Sequence, residues 1–348
     1  MRHFKKIAIF FMVSFFTICL LELTARIIPF KQDVLNKITS ILEQDSELFW
    51  KQKSNLDVFF EGVHVKTNSL GLRSNLTYKK NNSRECLRIV CLGASPTFGW
   101  GVTSEDAYSF QLKRLIEESG CASGVVEVIN AGQIGYSSFQ GLLFAEKIIL
   151  NFRPDIVIVS YVVNDVDKYR FYRNNGLEDN QLIPKNRAVI LVENFLEQSR
   201  FYVLFRKAIL SLRQLKPHPG TRVFGGRRVS KEDYATNLNA IIDIAENNNI
   251  ELILMNAPVG RFSQALNRDS EIYECLNLIC AYNRIMEDIA TEREIGFIDI
   301  GAVFKRDTQG SGVPLFVNPG YDFVHPSVKG HLLIAEAVFS NLQKNNFL

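Results

Sequence analysis

No Cys-x-x-Cys pair and no cluster of cysteine with histidine occurs in the 348 residues, although the chain holds six Cys and five His. Nothing in it therefore reads as a zinc site, and no metal or other cofactor is expected. Excess charge of one sign is missing too. Lys and Arg number 40 against 37 Asp and Glu, a net +3, whereas a domain built for nucleic acid carries a denser basic face. No Gly-x-Gly-x-x-Gly follows the first predicted strand, which removes the signature of dinucleotide binding. No internal repeat is visible. What remains is an ordinary folded composition, 47% hydrophobic and 22% charged, long enough for one large domain or two small ones.

The amino terminus stands apart. Arg2, Lys5 and Lys6 precede an almost wholly apolar run, Ile7 to Leu21, followed by Glu22, Arg26 and the stretch Ile27 to Phe30. With Glu22 and Arg26 snorkelling, the run reaches the roughly 20 residues that a bilayer needs. A cleaved signal peptide requires a small-x-small site, and no convincing one follows. Residues 1–30 are thus read as a single-pass membrane anchor, with everything beyond it outside the cytoplasm by the positive-inside rule, periplasmic or extracellular. Disulfides form in such a compartment, so Cys86 and Cys121, each just before a predicted strand, are candidates for a bridge, free thiols being the alternative. Cys275 and Cys280 read as core.

Residues 31–84 are mixed and polar, a stalk plus an extension of the domain. From residue 85 to 348 short β-rich runs alternate with helical stretches, the pattern of an α/β protein whose parallel sheet is covered on both faces. Strands are predicted at 87–92, 125–130, 155–161, 250–256 and 296–300, and helices at 106–118, 137–150, 231–247, 271–291 and 330–342. Ser104 is placed as the cap of the first of these helices. Between about 166 and 230 lies an insertion too long for a simple connection. Its part from Gln198 to Lys231 has nine Lys or Arg and no acid, interleaved with apolar residues and leading to the Pro- and Gly-rich stretch 217–226. Two readings stay open for it: a helix packed on the domain with a solvated basic face, or a collar touching membrane headgroups or an anionic glycan.

Four polar signals fall just beyond strand ends or in the final loop, at the edge where open parallel sheets bind and react. They are Ser95 in Gly93-Ala-Ser-Pro, Gly132 in Asn130-Ala-Gly, Asn164 before Asp165, and the pair Asp322 and His325 in Asp-Phe-Val-His-Pro. Each alone has a plainer reading as a turn or helix cap, and the last could also be two metal ligands waiting for a third. Together they compose a site. A serine hydroxyl needs a base, and the base needs a carboxylate to hold its tautomer, for which a spacing of three suffices. Pro96 has no N–H and cannot serve the oxyanion, so the donors fall to Ser95 itself, Gly132 and Asn164. His331 reads as structural, and His64 and His218 have no neighbours that suggest chemistry.

These blocks, in this order, resemble the SGNH hydrolases, also called GDSL esterases and lipases, over roughly Asn68 to Ala337. Asn68-Ser-Leu-Gly-Leu-Arg73 is similar to a segment that precedes the nucleophile in membrane-anchored bacterial members. The resemblance implies a flavodoxin-like three-layer α/β/α sandwich and a Ser95-His325-Asp322 acyl-enzyme mechanism without metal. It also implies acetyl or other acyl esters as substrates, often on carbohydrate. Where the usual block reads Gly-Asp-Ser, this chain has Ala94. The expected function is hydrolysis of acyl esters on cell-surface or exported polysaccharide, or on a small ester. The alternatives are an O-acyltransferase using the same acyl-enzyme and an inactive, anchored glycan-binding module.

Overall fold

The computed structural model describes residues 2–27, 34–78, 86–122, 124–167, 177–214, 227–258, 271–307, 313–318 and 322–348. His218 and the Pro- and Gly-rich stretch 217–226 lie outside the described residues.

The apolar run is one helix, α1 (Arg2–Ile27), longer than the run itself. It continues through Glu22 and Arg26 because the two pair along the helix at 3.0 Å. Its segment Phe4–Ile27 is long and apolar enough to cross a membrane. After α2 (Val34–Ile41) come two small antiparallel hairpins, β1 (Leu42–Asp45) with β2 (Phe49–Gln52), and β3 (Asp57–Phe60) with β4 (Val63–Lys66). Ile41, Leu42 and Trp50 of this polar-looking segment are at most 1% exposed and belong to the main core. Short hairpins leave only a few apolar residues each, too few to announce themselves by periodicity.

Five parallel strands form the central sheet: β5 (Cys86–Gly93), β6 (Val125–Gly132), β7 (Ile156–Ser160), β8 (Glu251–Met255) and β9 (Gly296–Ile298), in the order β6-β5-β7-β8-β9. Along β5, Val90 and Leu92 enter one core while Ile89 and Cys91 enter the other, so both faces are covered. The helices are α3 (Ser95–Phe98), α4 (Tyr108–Ser119), α5 (Ser138–Phe152), α6 (Val163–Val166), α7 (Arg187–Leu196), α8 (Arg200–Gln214), α9 (Lys231–Asn247), α10 (Glu271–Glu292), α11 (Ile300–Asp307) and α12 (Val328–Lys344). On one face α5, α9 and α10 pack in series; on the other, α4, α12 and α11 do. The result is the three-layer α/β/α sandwich, with the order of a flavodoxin-like sheet.

The register fixes where the loops emerge. Gly93 at the end of β5 stands opposite Gly132 on one side and Ser160 on the other. The chain runs from β5 to β6 and then crosses to β7, which makes this edge the switch point of the sheet, where adjacent loops diverge and leave a crevice.

Several local expectations shift. The first long helix begins at Tyr108 with Ala107 as its cap and no side-chain cap bond, so Ser104 does not cap it. Ser104 Oγ instead accepts from Arg73 Nε at 3.3 Å. Cys86 and Cys121 are free thiols, and Cys121 Sγ lies 2.7 Å from Ser119 Oγ. Cys280 is exposed rather than core. Five residues turn a helix by about 140°, so Cys275 and Cys280 cannot both face the sheet.

Candidate active site

Ser95 opens α3 directly after β5, and it is 7% exposed. Pro96 suits this first turn, where its missing N–H costs nothing. Ala94 is the N-cap residue, offers no side-chain bond, and is 3% exposed in the main core, so a methyl packs there. A Cβ on Gly93 would lie 2.1 Å from Thr97 Oγ1, so only glycine lets the turn fold back on the strand. The N–H of Ser95, first in the turn, has no intrahelical acceptor.

Arg73 holds the far side of that turn. Fully buried, it donates to the carbonyls of Phe98 at 2.8 Å, of Val102 at 2.5 Å, and of Gly99. Burial draws its pKa down to about 10, so it keeps its charge at neutral pH. The segment before it is shaped by Asn68, whose Oδ1 accepts the N–H of Leu70 and Leu72. Gly71 sits at φ +75° with its Cβ position 2.6 Å from Gln52 O. Asn68-Ser-Leu-Gly-Leu-Arg73 therefore acts as a strut under the Ser95 turn.

Asp322 and His325 lie in the loop that enters α12. One carboxylate oxygen of Asp322 accepts the backbone N–H of Val324 and His325, at 3.0 and 2.9 Å, and the other lies 2.7 Å from His325 Nδ1. Burial alone would raise the Asp322 pKa; the bonds from the His325 ring and the two backbone amides outweigh it and hold the carboxyl below its ordinary range. His325 Nε2 then lies 2.9 Å from Ser95 Oγ, across 230 residues of sequence. The continuous chain from Asp322 through His325 to Ser95 can draw a proton from the hydroxyl and stabilise the imidazolium that results.

The structure adds residues beyond the expected triad and oxyanion donors. Trp100 stacks on the His325 ring, with centroids 5.1 Å apart and planes at 19°. Asn130 Nδ2 donates to Thr97 O at 2.9 Å, tying the end of β6 to the Ser95 turn. Asp179 and Arg228, from the two ends of the insertion, form a pair at 2.9 Å, each 1% exposed. Arg228 also donates to Gly135 O at 2.8 Å and to Gln140 Oε1 at 2.8 Å. The insertion is thereby bolted to the loop after β6.

The other two expected donors are placed differently from each other. Asn164, in α6, spends one amide hydrogen on Tyr136 O at 3.0 Å, and the amide carries a second. Gly132 is the last residue of β6, and its N–H donates to Asn130 Oδ1 at 3.0 Å. A Cβ there would lie 2.2 Å from Phe98 N, so close packing of β6 against α3 demands glycine at this position. His331 is fully buried and stacks on Tyr108, whose N–H it accepts through Nδ1 at 3.3 Å; burial drives its pKa down to about 3. Exposed His64 pairs with Asp57 at 3.0 Å. Among the described residues no group of three or more His, Cys, Asp and Glu has the placing of a metal site.

No curated protein matches the chain. Among solved structures, a variant of the acetyl xylan esterase Axe2 from Geobacillus stearothermophilus is 18% identical at a TM-score of 0.48, over 76% of this chain and 96% of that one. LAE5, an alpha/beta hydrolase from the metagenome of Lake Arreo, Spain, is 16% identical at a TM-score of 0.47, over 74% and 94%. A lipolytic protein of the G-D-S-L family from Desulfitobacterium hafniense is 16% identical at a TM-score of 0.45, over 74% and 99%. The model of the GDSL-like Lipase/Acylhydrolase family matches residues 91–333, from β5 into α12, and so spans Ser95, Asn164, Asp322 and His325. With more than half of its length matched, the chain belongs to the GDSL-like lipase/acylhydrolase family and is an ester-hydrolysing enzyme.

Proposed function

We propose that the chain is a membrane-anchored serine esterase that removes acyl groups, acetyl above all, from cell-surface or exported polysaccharide. The observation that carries this reading is the hydrogen-bonded chain from Asp322 Oδ2 through His325 to Ser95 Oγ, at 2.7 and 2.9 Å. Ser95 Oγ attacks the ester carbonyl as its proton passes to His325 Nε2, and Asp322 holds the ring in the tautomer that can accept it. The charge on the carbonyl oxygen is met by the Ser95 N–H and the second amide hydrogen of Asn164. Gly132 joins them only by sharing the hydrogen it gives to Asn130. His325 then protonates the departing sugar oxygen, deprotonates a water that attacks the acyl-enzyme, and the carboxylic acid leaves.

The family resemblance supports acyl esters on carbohydrate. The basic residues Arg2, Lys5 and Lys6, ahead of the apolar run in α1, support a cytoplasmic amino terminus with the catalytic domain outside. The test is an assay of the detergent-solubilised full chain on a short-chain chromogenic acyl ester and on acetylated oligosaccharide, beside Ser95→Ala. Hydrolysis that falls by at least about 10⁴-fold in the variant, with fluorophosphonate labelling lost, is the expected result. Equal rates for the two proteins, no higher than the blank, overturn it. Acyl transfer to a sugar acceptor in preference to water would make the enzyme an O-acyltransferase.

A further inference from the structure

α7 turns most of its apolar side chains outward. Ala188, Leu191, Val192 and Phe195 recur at the i, i+3, i+4, i+7 spacing that marks one face of a helix, the face usually turned to the core. Here that face is outward: Leu191 is 62% exposed, Val192 57% and Phe195 71%, with Ile183 nearby at 77%. Toward the domain the helix sets a single apolar residue, Ile190, 5% exposed, with half-buried Glu193 beside it. Glu193 accepts from Lys185 at 2.6 Å, and Lys185 also reaches Gln44 Oε1 of β1 at 3.0 Å.

The neighbouring helix says what covers this face. α8 starts shortly after α7 ends, and its first turn is fastened to α1. The Glu22 carboxylate accepts Ser199 Oγ–H at 2.8 Å, Arg200 N–H at 3.1 Å and Phe201 N–H at 3.0 Å. Arg200 Nε donates to Ala25 O at 3.2 Å, and Ala25 is 3% exposed at the contact. Glu22, which in an apolar helix would otherwise have to snorkel to water, satisfies the orphan amides of α8. α8 carries Arg200, Arg206, Lys207 and Arg213 with no acid, and Phe205 is 54% exposed. Only residues 28–33 separate α1 from α2, a reach of at most about 25 Å, so the domain stays at the bilayer surface.

We propose that α7 lies in the membrane interface, its Leu191, Val192 and Phe195 stripe sunk to the boundary of headgroups and acyl chains. Arg206 of α8, its side chain 44% exposed and paired with Glu197 at 2.7 Å, meets anionic headgroups, and Glu22 locks the two helices to the anchor. This rests on the reading of α1 as an anchor. The consequence is a second membrane contact: the catalytic domain has a fixed attitude to the bilayer rather than swinging on a tether.

The test places tryptophan probes in the full chain, reconstituted in phosphatidylethanolamine and phosphatidylglycerol vesicles with or without brominated acyl chains. Phe195→Trp and Leu191→Trp report α7, Phe11→Trp reports the anchor, and Val125→Trp, at the start of β6 and 63% exposed, reports a surface in water. The emission of Trp50 and Trp100 is subtracted from the parent protein. Brominated lipid is expected to remove about half or more of the added emission at positions 195, 191 and 11, and none at 125. Quenching at 11 with none at 195 and 191 overturns the proposal and leaves the anchor standing. No quenching at 11 overturns both. A blue shift at 195 without quenching, with crosslinks between copies, means that a second copy covers the stripe and also overturns it.

Discussion

Trp100 lies flat against the imidazole of His325, and Phe60 from the β3–β4 hairpin meets Trp100 edge-on at 4.9 Å and 82°. The imidazole is thus fixed on two sides, by Asp322 through a hydrogen bond and by Trp100 through ring contact. Ring position decides whether Nε2 points at Ser95 Oγ, and a small misplacement of a reacting group costs rate rather than binding. Trp100→Ala is expected to lower kcat by about 10- to 100-fold with a smaller change in KM. Trp100→Phe, which keeps a face to stack on, should recover most of the loss. Steady-state kinetics of the three proteins decide it, and an effect confined to KM would assign Trp100 to substrate binding.

Asp322 accepts from the ring through one oxygen and from two backbone amides through the other, so removing its charge affects tautomer and loop together. Asp322→Asn should reduce kcat by about 10³- to 10⁴-fold, because an amide can offer a donor to Nδ1 and stabilise the wrong tautomer. Circular dichroism should stay unchanged. A variant within tenfold of the parent would show that another group orients His325.

Gly132→Ala tests packing rather than chemistry. The new Cβ would meet Phe98 N at 2.2 Å and its Cα at 2.7 Å, and backbone atoms cannot step aside as a side chain can. A loss of about 3 kcal/mol or more in unfolding free energy is expected. Activity should fall with it, since the same shift moves the Ser95 turn. Chemical denaturation with unchanged m-value would measure it.

Asp165 is fully buried beside Asn164, and burial lifts its carboxyl from 3.8 to about 7, against the opposing bonds from Ser138 and the charge of Arg228. The folded protein therefore keeps a proton that the unfolded chain releases between about pH 4 and 7. Its contribution to stability is full below that window and is lost as pH rises through 7. Asp165→Asn retains an acceptor for the Ser138 N–H, which lies 2.8 Å from Oδ1. The variant should match the parent at or below about pH 4 and melt a few degrees higher near pH 8. Parallel Tm profiles would exclude Asp165 as the group responsible.

Local pattern carried a large part of the reading. The five sheet strands lie within a few residues of their predicted positions because buried parallel strands are short β-rich runs closed by Gly, Pro or Asn. Asp322 and His325 were legible because three residues of loop suffice to bring them together. Trp50, Arg73 and Arg228 were not, since each is buried by partners between 26 and 93 residues away, Arg73 by Gly99 and Val102, Arg228 by Gly135 and Asp179, Trp50 by Ile134. A polar or aromatic residue in an unpatterned stretch looks the same whether it faces water or braces a loop.

The amino-acid sequence by itself determined the α/β class, the order of the strands along the chain, the serine at the first strand end, and the local carboxylate–imidazole pair. These follow from hydrophobic periodicity and turn chemistry, which act within a window of a few residues. Only the tertiary structure decided that His325 Nε2 meets Ser95 Oγ, that the Gly132 amide is turned to Asn130, that Trp100 stacks on His325, and that Glu22 caps α8. Each of these depends on which surfaces the crossovers of the sheet bring face to face, and that is a property of the whole chain's packing rather than of any segment in it.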